Sequence, residues 1–220
     1  MTSLLLALSV AALVNPSGHW EGTLETPQAS VAFQVDIVQQ DGALAGAITI
    51  PQQRLTALPL TKIVVDGASI TFGARSDQLL AATIDPDGKT MAGTFTMDAF
   101  SFPFTLTRTG DAALAPPPLS AAVAKELEGT WHGALGDGAQ EIHVLLTMNN
   151  RPDGSAVATI VNLDEGGLRL PVVVSRSGST VTIASHVVES SFTGELTAKG
   201  EIVGTFRQGA EEIPLTFRRE

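Results

Sequence analysis

The chain has 220 residues, of which 44% are apolar and 16% charged, and its net charge is −10. This balance supports a buried core and excludes a disordered chain. Acidic residues are in excess in both halves, so neither half offers the basic surface that nucleic acid or anionic lipid requires. The absence of cysteine excludes disulfides, thiol nucleophiles and cysteine-ligated metals.

The first 14 residues form an apolar run that is shorter than the roughly 20 residues of a membrane span. Small residues at Val10-Ala11-Ala12 are typical of a cleavage site, although no basic residues precede the run. We therefore predict that residues 1–16 are a signal peptide or an N-terminal apolar segment, that the protein is exported to the periplasm or the cell exterior, and that no segment spans a membrane. The alternatives are a truncated start, or an N-terminal helix packed on the first domain of a cytoplasmic protein.

Residues 17–109 read as a series of short strands separated by turns. Val31, Phe33, Val35 and Ile37 alternate with polar residues, which is the period of a half-buried strand. Tight turns are predicted at 41–42, 66–67 and 85–88, each of which contains Asp-Gly. Pro59 interrupts the apolar stretch 55–65, which favours an edge or bulged strand there. About eight strands are expected, at the turn spacing of an all-β sandwich or barrel.

Residues 110–126 have the composition of a linker. The triple proline at 116–118 favours a stiff, extended spacer. After it, the alanine-rich stretch 119–127 predicts one or two helical turns that lead into a second domain over residues 127–220.

The second domain repeats the landmarks of the first. Six pairs keep an offset of 111 or 112 residues: Trp20 and Trp131, Gly42 and Gly154, Pro59 and Pro171, Gly93 and Gly204, Pro103 and Pro214, and Arg108 and Arg219. Such a constant offset indicates a duplication with small insertions in turns. Because a meander of about eight short strands removes its edges by closing, we predict two tandem antiparallel up-and-down β-barrels.

Each copy opens on Gly-x-Trp-x-Gly, at 18–22 and 129–133, and ends on an arginine. This signature resembles the calycin group, which includes the lipocalins and avidin-like proteins. The resemblance implies that Trp20 and Trp131 close one end of each barrel, with Arg108 and Arg219 stacked across them as structural plugs. A cation–π contact of this kind contributes on the order of 1–2 kcal/mol.

The end of the second copy, residues 204–210 and 213–219, also resembles the β-barrel accessory domain that precedes the catalytic domain of some secreted bacterial α/β-hydrolases. The first copy departs from that pattern, with Thr96-Met97-Asp98 where the second has Arg207-Gln208-Gly209. The resemblance implies an accessory or binding module that acts with a partner hydrolase, and it carries no catalytic residue to this chain.

Catalytic motifs are missing from the sequence. There is no Gly-x-Ser-x-Gly elbow, and Ser190 and Ser191 lie beside Glu189 and near His186 only within a strand-like pattern. The four histidines show no metal-ligand spacing, and the Asp-Gly pairs are explained by turns rather than by calcium. We therefore expect no cofactor and favour a non-catalytic role.

A binding or accessory module is the favoured function, with an unknown ligand or partner. The alternatives are a lipocalin-like carrier of a small apolar molecule, and a hydrolase-type enzyme whose site lies between the barrels. Alternation places nine side chains inside the barrels, where they would either line a ligand or pack the core: Phe33, Phe72, Phe95, Phe104, Val144, Leu146, Phe192, Phe206 and Phe217.

Overall fold

A computed structural model describes residues 14–136 and 141–220, and the prediction of an all-β protein is confirmed. Nine strands form a first antiparallel sheet: β1 Gly18–Glu25, β2 Ser30–Gln40, β3 Ala43–Ile50, β4 Leu55–Pro59, β5 Lys62–Asp66, β6 Ser69–Arg75, β7 Gln78–Ile84, β8 Thr90–Met97 and β9 Phe100–Gly110. A 3-10 turn, Pro51–Gln53, joins β3 to β4. The second sheet contains β10 Ser120–Ala121, β11 Gly129–Leu135, β12 Ile142–Asn150, β13 Ser155–Asn162, β14 Leu168–Ser177, β15 Thr180–Ser185, β16 Ser190–Leu196, β17 Glu201–Gln208 and β18 Glu211–Arg219.

Both sheets follow an up-and-down order in which the first long strand pairs with the last. In the first, β1 lies between β2 and β9, and in the second, β11 lies between β12 and β18. The second sheet closes into an eight-stranded barrel because β13 pairs with β14 from Ala158 to Asn162. Closure removes the exposed edges that an open sheet would leave.

The first sheet curls in the same way, but the strand that corresponds to β14 is broken into β4 and β5. Pro59 has no N–H to donate, and Ala57 has a left-handed φ of 50°. The Leu60 N–H still donates to Gly46 O of β3 at 2.9 Å, whereas the Thr61 N–H donates to Gly73 O of β6 at 2.9 Å. The two edges of the sheet therefore approach at one kink without a ladder between β4 and β5, and the break yields nine strands where about eight were expected. This curled sheet is incompletely closed and is called the first barrel below.

After the triple proline the chain forms a short strand at residues 120–121 and a hydrogen-bonded turn at residues 125–127, so the prediction of one or two helical turns over residues 119–127 is wrong. Ser120 and Ala121 form β10, which pairs with β13. The buried Ser120 hydroxyl accepts the Val174 N–H of β14 at 2.8 Å, which fills the gap where β13 and β14 separate. This pairing is long-range, and the helical propensity of alanine carries no information about it.

Candidate functional site

The Trp–Arg pairs occupy equivalent positions at one end of each barrel. The Arg108 guanidinium lies 4.7 Å from the Trp20 ring centroid, and that of Arg219 lies 5.7 Å from Trp131. Both indoles are buried, and each donates its N–H over 2.9 Å to a carbonyl four residues earlier, at Pro16 and at Leu127. The arginines also donate to carbonyls of the chain entering the barrel, at Asn15, Glu126 and Glu128. Each plug thus fastens the entering chain across the barrel end.

Close contacts require glycine after each tryptophan, and at Gly129, before the second tryptophan, a φ of 114° favours glycine. A Cβ on Gly18 would lie 3.1 Å from Arg108 Nε, and one on Gly22 would lie 1.9 Å from the Thr105 carbonyl oxygen. In the second copy, a Cβ on Gly129 would lie 3.4 Å from the Arg219 guanidinium, and one on Gly133 would lie 2.8 Å from Phe217. The motif Gly-x-Trp-x-Gly therefore makes room for the plug and for the neighbouring last strand.

The interiors of the two barrels differ at positions that the strand pairing aligns. Phe33, Phe72 and Phe104 of the first barrel stand where the second has Val144, Ile183 and Leu215. These three phenylalanines are buried, and Phe104 packs edge-to-face against the other two with ring centroids 5.8 and 6.3 Å away. They fill the first barrel at the end opposite its tryptophan. Smaller side chains at these three positions leave space in the second barrel, although Phe192 and Phe217 stand where the first barrel has Leu80 and Leu106.

A cavity of about 600 Å³ occupies that space in the second barrel. Its walls come from the ends of the strands opposite Trp131, as shown by Leu135 and Gly136 at the far end of β11. The apolar lining includes Ile142, Ile160, Leu170, Val172 and Ile213, and the polar lining includes Asn162, Glu165, Ser185, Ser190, Gln208 and Glu211. A partly open, mainly apolar space with a few polar groups is the usual form of a small-molecule site.

The nine predicted lining residues divide between this cavity and the packed cores. Val144, Phe192, Phe206 and Phe217 line the cavity, whereas Leu146 is buried deeper in the second core. Phe33, Phe72 and Phe104 are buried in the first core, and Phe95 packs against it. The alternation of apolar residues identified inward-facing positions, but it did not predict the polar ones, Ser185, Gln208 and Glu211. A strand-by-strand comparison of the two copies would have identified these polar positions, because the first copy has the apolar residues Ala74, Met97 and Phe100 at the corresponding places.

The second barrel docks on the first beside this cavity. Val187, in the turn between β15 and β16, is buried in the hydrophobic core of the first barrel, and its carbonyl accepts the Thr56 N–H at 2.9 Å. The next residue, Val188, lines the cavity. Arg75 of the first barrel pairs with Glu165 at the cavity over 3.3 Å. The turn therefore connects the core of one barrel to the cavity of the other, a contact that the sequence did not predict.

The serines of the cavity do not form a nucleophile–base pair. Ser190 and Ser191 line the cavity, while His186 is exposed and makes no hydrogen bond to either serine within the described residues. Across residues 14–136 and 141–220, no three histidine or acidic side chains are grouped as a metal site would require. In the same ranges, no helix has the length and apolarity needed to cross a membrane.

His19, beside the first plug, is a pH-sensitive contact. Its Nδ1 lies 2.9 Å from Asp36 Oδ1, which also accepts the Ala113 N–H of the linker at 3.1 Å. The hydrogen bond to Asp36 raises the pKa of His19 above its ordinary value of 6.5, and burial partly opposes this.

We predict that this pair contributes stability below about pH 6 that is lost as the pH rises through the raised pKa. The free energy of unfolding in urea should fall by less than about 1 kcal/mol between about pH 6 and about pH 8, as expected for a partly exposed pair. A His19→Asn variant should lose this slope. An unchanged slope in the variant would show that another group titrates.

Comparisons with known proteins give no family for the chain. No family model matches it, and no curated protein matches it. Among solved structures, it is similar to a protein of unknown function from the DUF3598 family of Nostoc punctiforme, with 11% sequence identity and a TM-score of 0.28. That alignment covers 91% of this chain and 94% of the other. A similarity at this level supports no inference about function.

Proposed function

We propose that the protein is a non-catalytic binding module in which the second barrel holds a small apolar ligand. The cavity of about 600 Å³ carries this proposal, because it lies within the size range of small-molecule sites. The first barrel, with its packed phenylalanines, acts as a structural partner that supports the turn at Val187 and Val188. The duplication therefore yields one binding barrel and one supporting barrel.

Three further expectations accompany this function as proposals. The apolar run at the start of the sequence supports export to the periplasm or the cell exterior. The plug and the open mouth at the opposite end support a lipocalin-like mode of binding. The resemblance of the last two strands to hydrolase accessory domains supports a role beside a partner hydrolase.

The binding proposal is tested with N-phenyl-1-naphthylamine, a neutral apolar dye whose fluorescence increases in a dry site. The wild-type protein should bind the dye with saturation. Ile213→Trp places a larger side chain at a position that lines the cavity, and we expect it to weaken binding at least about tenfold.

Phe102→Trp is the matched control, because Phe102 pairs with Phe95 in the first barrel as Ile213 pairs with Phe206 in the second. This variant should bind the dye like the wild type, and circular dichroism should show both variants folded. Absence of dye binding to the wild type, or equal loss in both variants, would contradict the proposal.

A further inference from the structure

Polar residues of the cavity form a continuous row across four neighbouring strands. Ser185 of β15 pairs with Ser190 of β16, Ser190 pairs with Gln208 of β17, and Gln208 pairs with Glu211 of β18. All four line the cavity. Because residues in register lie at the same level of a sheet, this polar row forms one arc of the cavity mouth.

The opposite wall is mainly apolar. It is formed by β12, β13 and the start of β14, with Ile142, Val144, Ile160 and Leu170 facing the cavity. An apolar molecule would lie against this wall with its polar group directed to the row. The cavity therefore favours an amphiphile with one polar end rather than a uniformly apolar molecule.

The hydrogen bonds already present leave mostly acceptors in the row. The Ser185 hydroxyl donates to Pro171 O at 3.4 Å and accepts the Val187 N–H at 3.3 Å. The Gln208 amide donates one N–H to Val188 O at 3.3 Å, which leaves its carbonyl oxygen and its second N–H available. Glu211 forms no ion pair within the described residues, so its carboxylate is an acceptor for a ligand.

Ser190 is the member of the row whose hydroxyl has no partner in the described chain. Its residue is 8% exposed, and within the described parts of the chain its hydroxyl makes no hydrogen bond. A hydroxyl that is open to the cavity is free to donate to, or accept from, a polar group of a ligand. Ser190 can therefore contribute one hydrogen bond to a polar group of a ligand inside the cavity.

The charges at the mouth disfavour an anionic ligand. Glu165 and Glu211 are the ionisable residues that line the cavity in the described chain, and the lining contains neither lysine nor arginine. Glu165 is paired with Arg75, so Glu211 is the charge available to a ligand. A carboxylate head would face mostly acceptors and a negative charge, whereas a protonated amine would face mostly complementary groups.

We propose that the cavity selects an apolar molecule with a hydrogen-bond-donating head, a primary alcohol or a protonated primary amine, over the corresponding carboxylate. This proposal rests on the proposed function, since it assigns a ligand class to the same cavity. The first barrel has Ala74, Gln78, Met97 and Phe100 at the corresponding places, so the polar row belongs to the binding barrel.

The test is displacement of N-phenyl-1-naphthylamine by decylamine, decanol and decanoate, which share one alkyl chain and differ in the head. Decylamine and decanol should displace the dye at concentrations at least about tenfold lower than decanoate does. The measurement is made near pH 7.5 so that the amine is protonated and the acid ionised.

Two variants separate the groups of the row. Glu211→Gln should reduce the advantage of decylamine over decanol about threefold, each displacement being expressed relative to the dye affinity of that variant. Ser190→Ala should weaken decylamine and decanol several-fold with little effect on decanoate. Arg207→Gln, on an exposed neighbouring residue paired with Glu212, is the control and should change none of these ratios.

The possible outcomes are distinct. If the wild-type protein does not bind the dye, the proposed function itself fails. If the dye binds and decanoate competes as well as decylamine, the binding function stands and the head-group selectivity is wrong. Unchanged ratios in both Glu211→Gln and Ser190→Ala would also overturn the assignment of the polar row.

Discussion

Replacement of Trp131 by alanine should lower the free energy of unfolding of the second barrel by about 3–5 kcal/mol, the range for large-to-small changes in a core. The Trp131 side chain is 1% exposed, donates its N–H to Leu127 O and lies under the Arg219 guanidinium. Its removal leaves a cavity, an unpaired carbonyl and an arginine without its aromatic partner. Urea unfolding followed by far-UV circular dichroism measures the loss.

Trp20→Ala is the matched variant in the first barrel, because Trp20 has the same burial, hydrogen bond and arginine contact. It should destabilise the first barrel by a similar amount. Under native conditions, Trp131→Ala should keep its affinity for the dye, since the cavity lies at the other end of β11. A variant that unfolds like the wild type but loses the dye would contradict the plug role.

The repeated landmarks of the two halves allowed much of the fold to be predicted from the sequence. The constant offset aligned two meanders, and Asp-Gly turns fixed their hairpins, as at Asp41 and Gly42, where both residues have positive φ. Pro59 marked the broken strand, although the pattern did not show that the two halves of that strand pair with different neighbours. Turns between neighbouring strands are determined by the conformational preferences of a few adjacent residues, so these short-range features were predicted well.

Features that depend on contacts far apart in the chain could not be predicted. Ser120 is surrounded by alanines, and its place in the second sheet depends on β13 and β14. The cavity depends on which strands face one another. The difference between Phe33 in the first barrel and Val144 at the equivalent position of the second is therefore informative only once the strand registers are known. Val187 looks like any strand or turn residue, and its burial comes from the other barrel.

Replacement of Val187 by aspartate should lower the free energy of unfolding of the first barrel by at least about 3 kcal/mol. Val187 is 7% exposed within the first core, and an aspartate there would either bury a charge or withdraw the turn from its site. Withdrawal would also break the bond from the Thr56 N–H to the Val187 carbonyl. Both routes remove apolar burial worth about 1.5–3 kcal/mol and add a polar cost.

The measurement uses a Trp131→Phe background, in which fluorescence reports on Trp20 and therefore on the first barrel. Val203→Asp is the control, because Val203 is 44% exposed on β17 and the same change should there cost within about 0.5 kcal/mol. Since Val188 follows in the same turn and lines the cavity, Val187→Asp should also weaken dye binding, whereas Val203→Asp should not. If the first barrel unfolds at the same urea concentration in Val187→Asp as in the wild type, its stability does not depend on the contact with the second barrel. Weakened binding together with lost stability would instead establish that the supporting barrel holds the wall of the binding cavity in place.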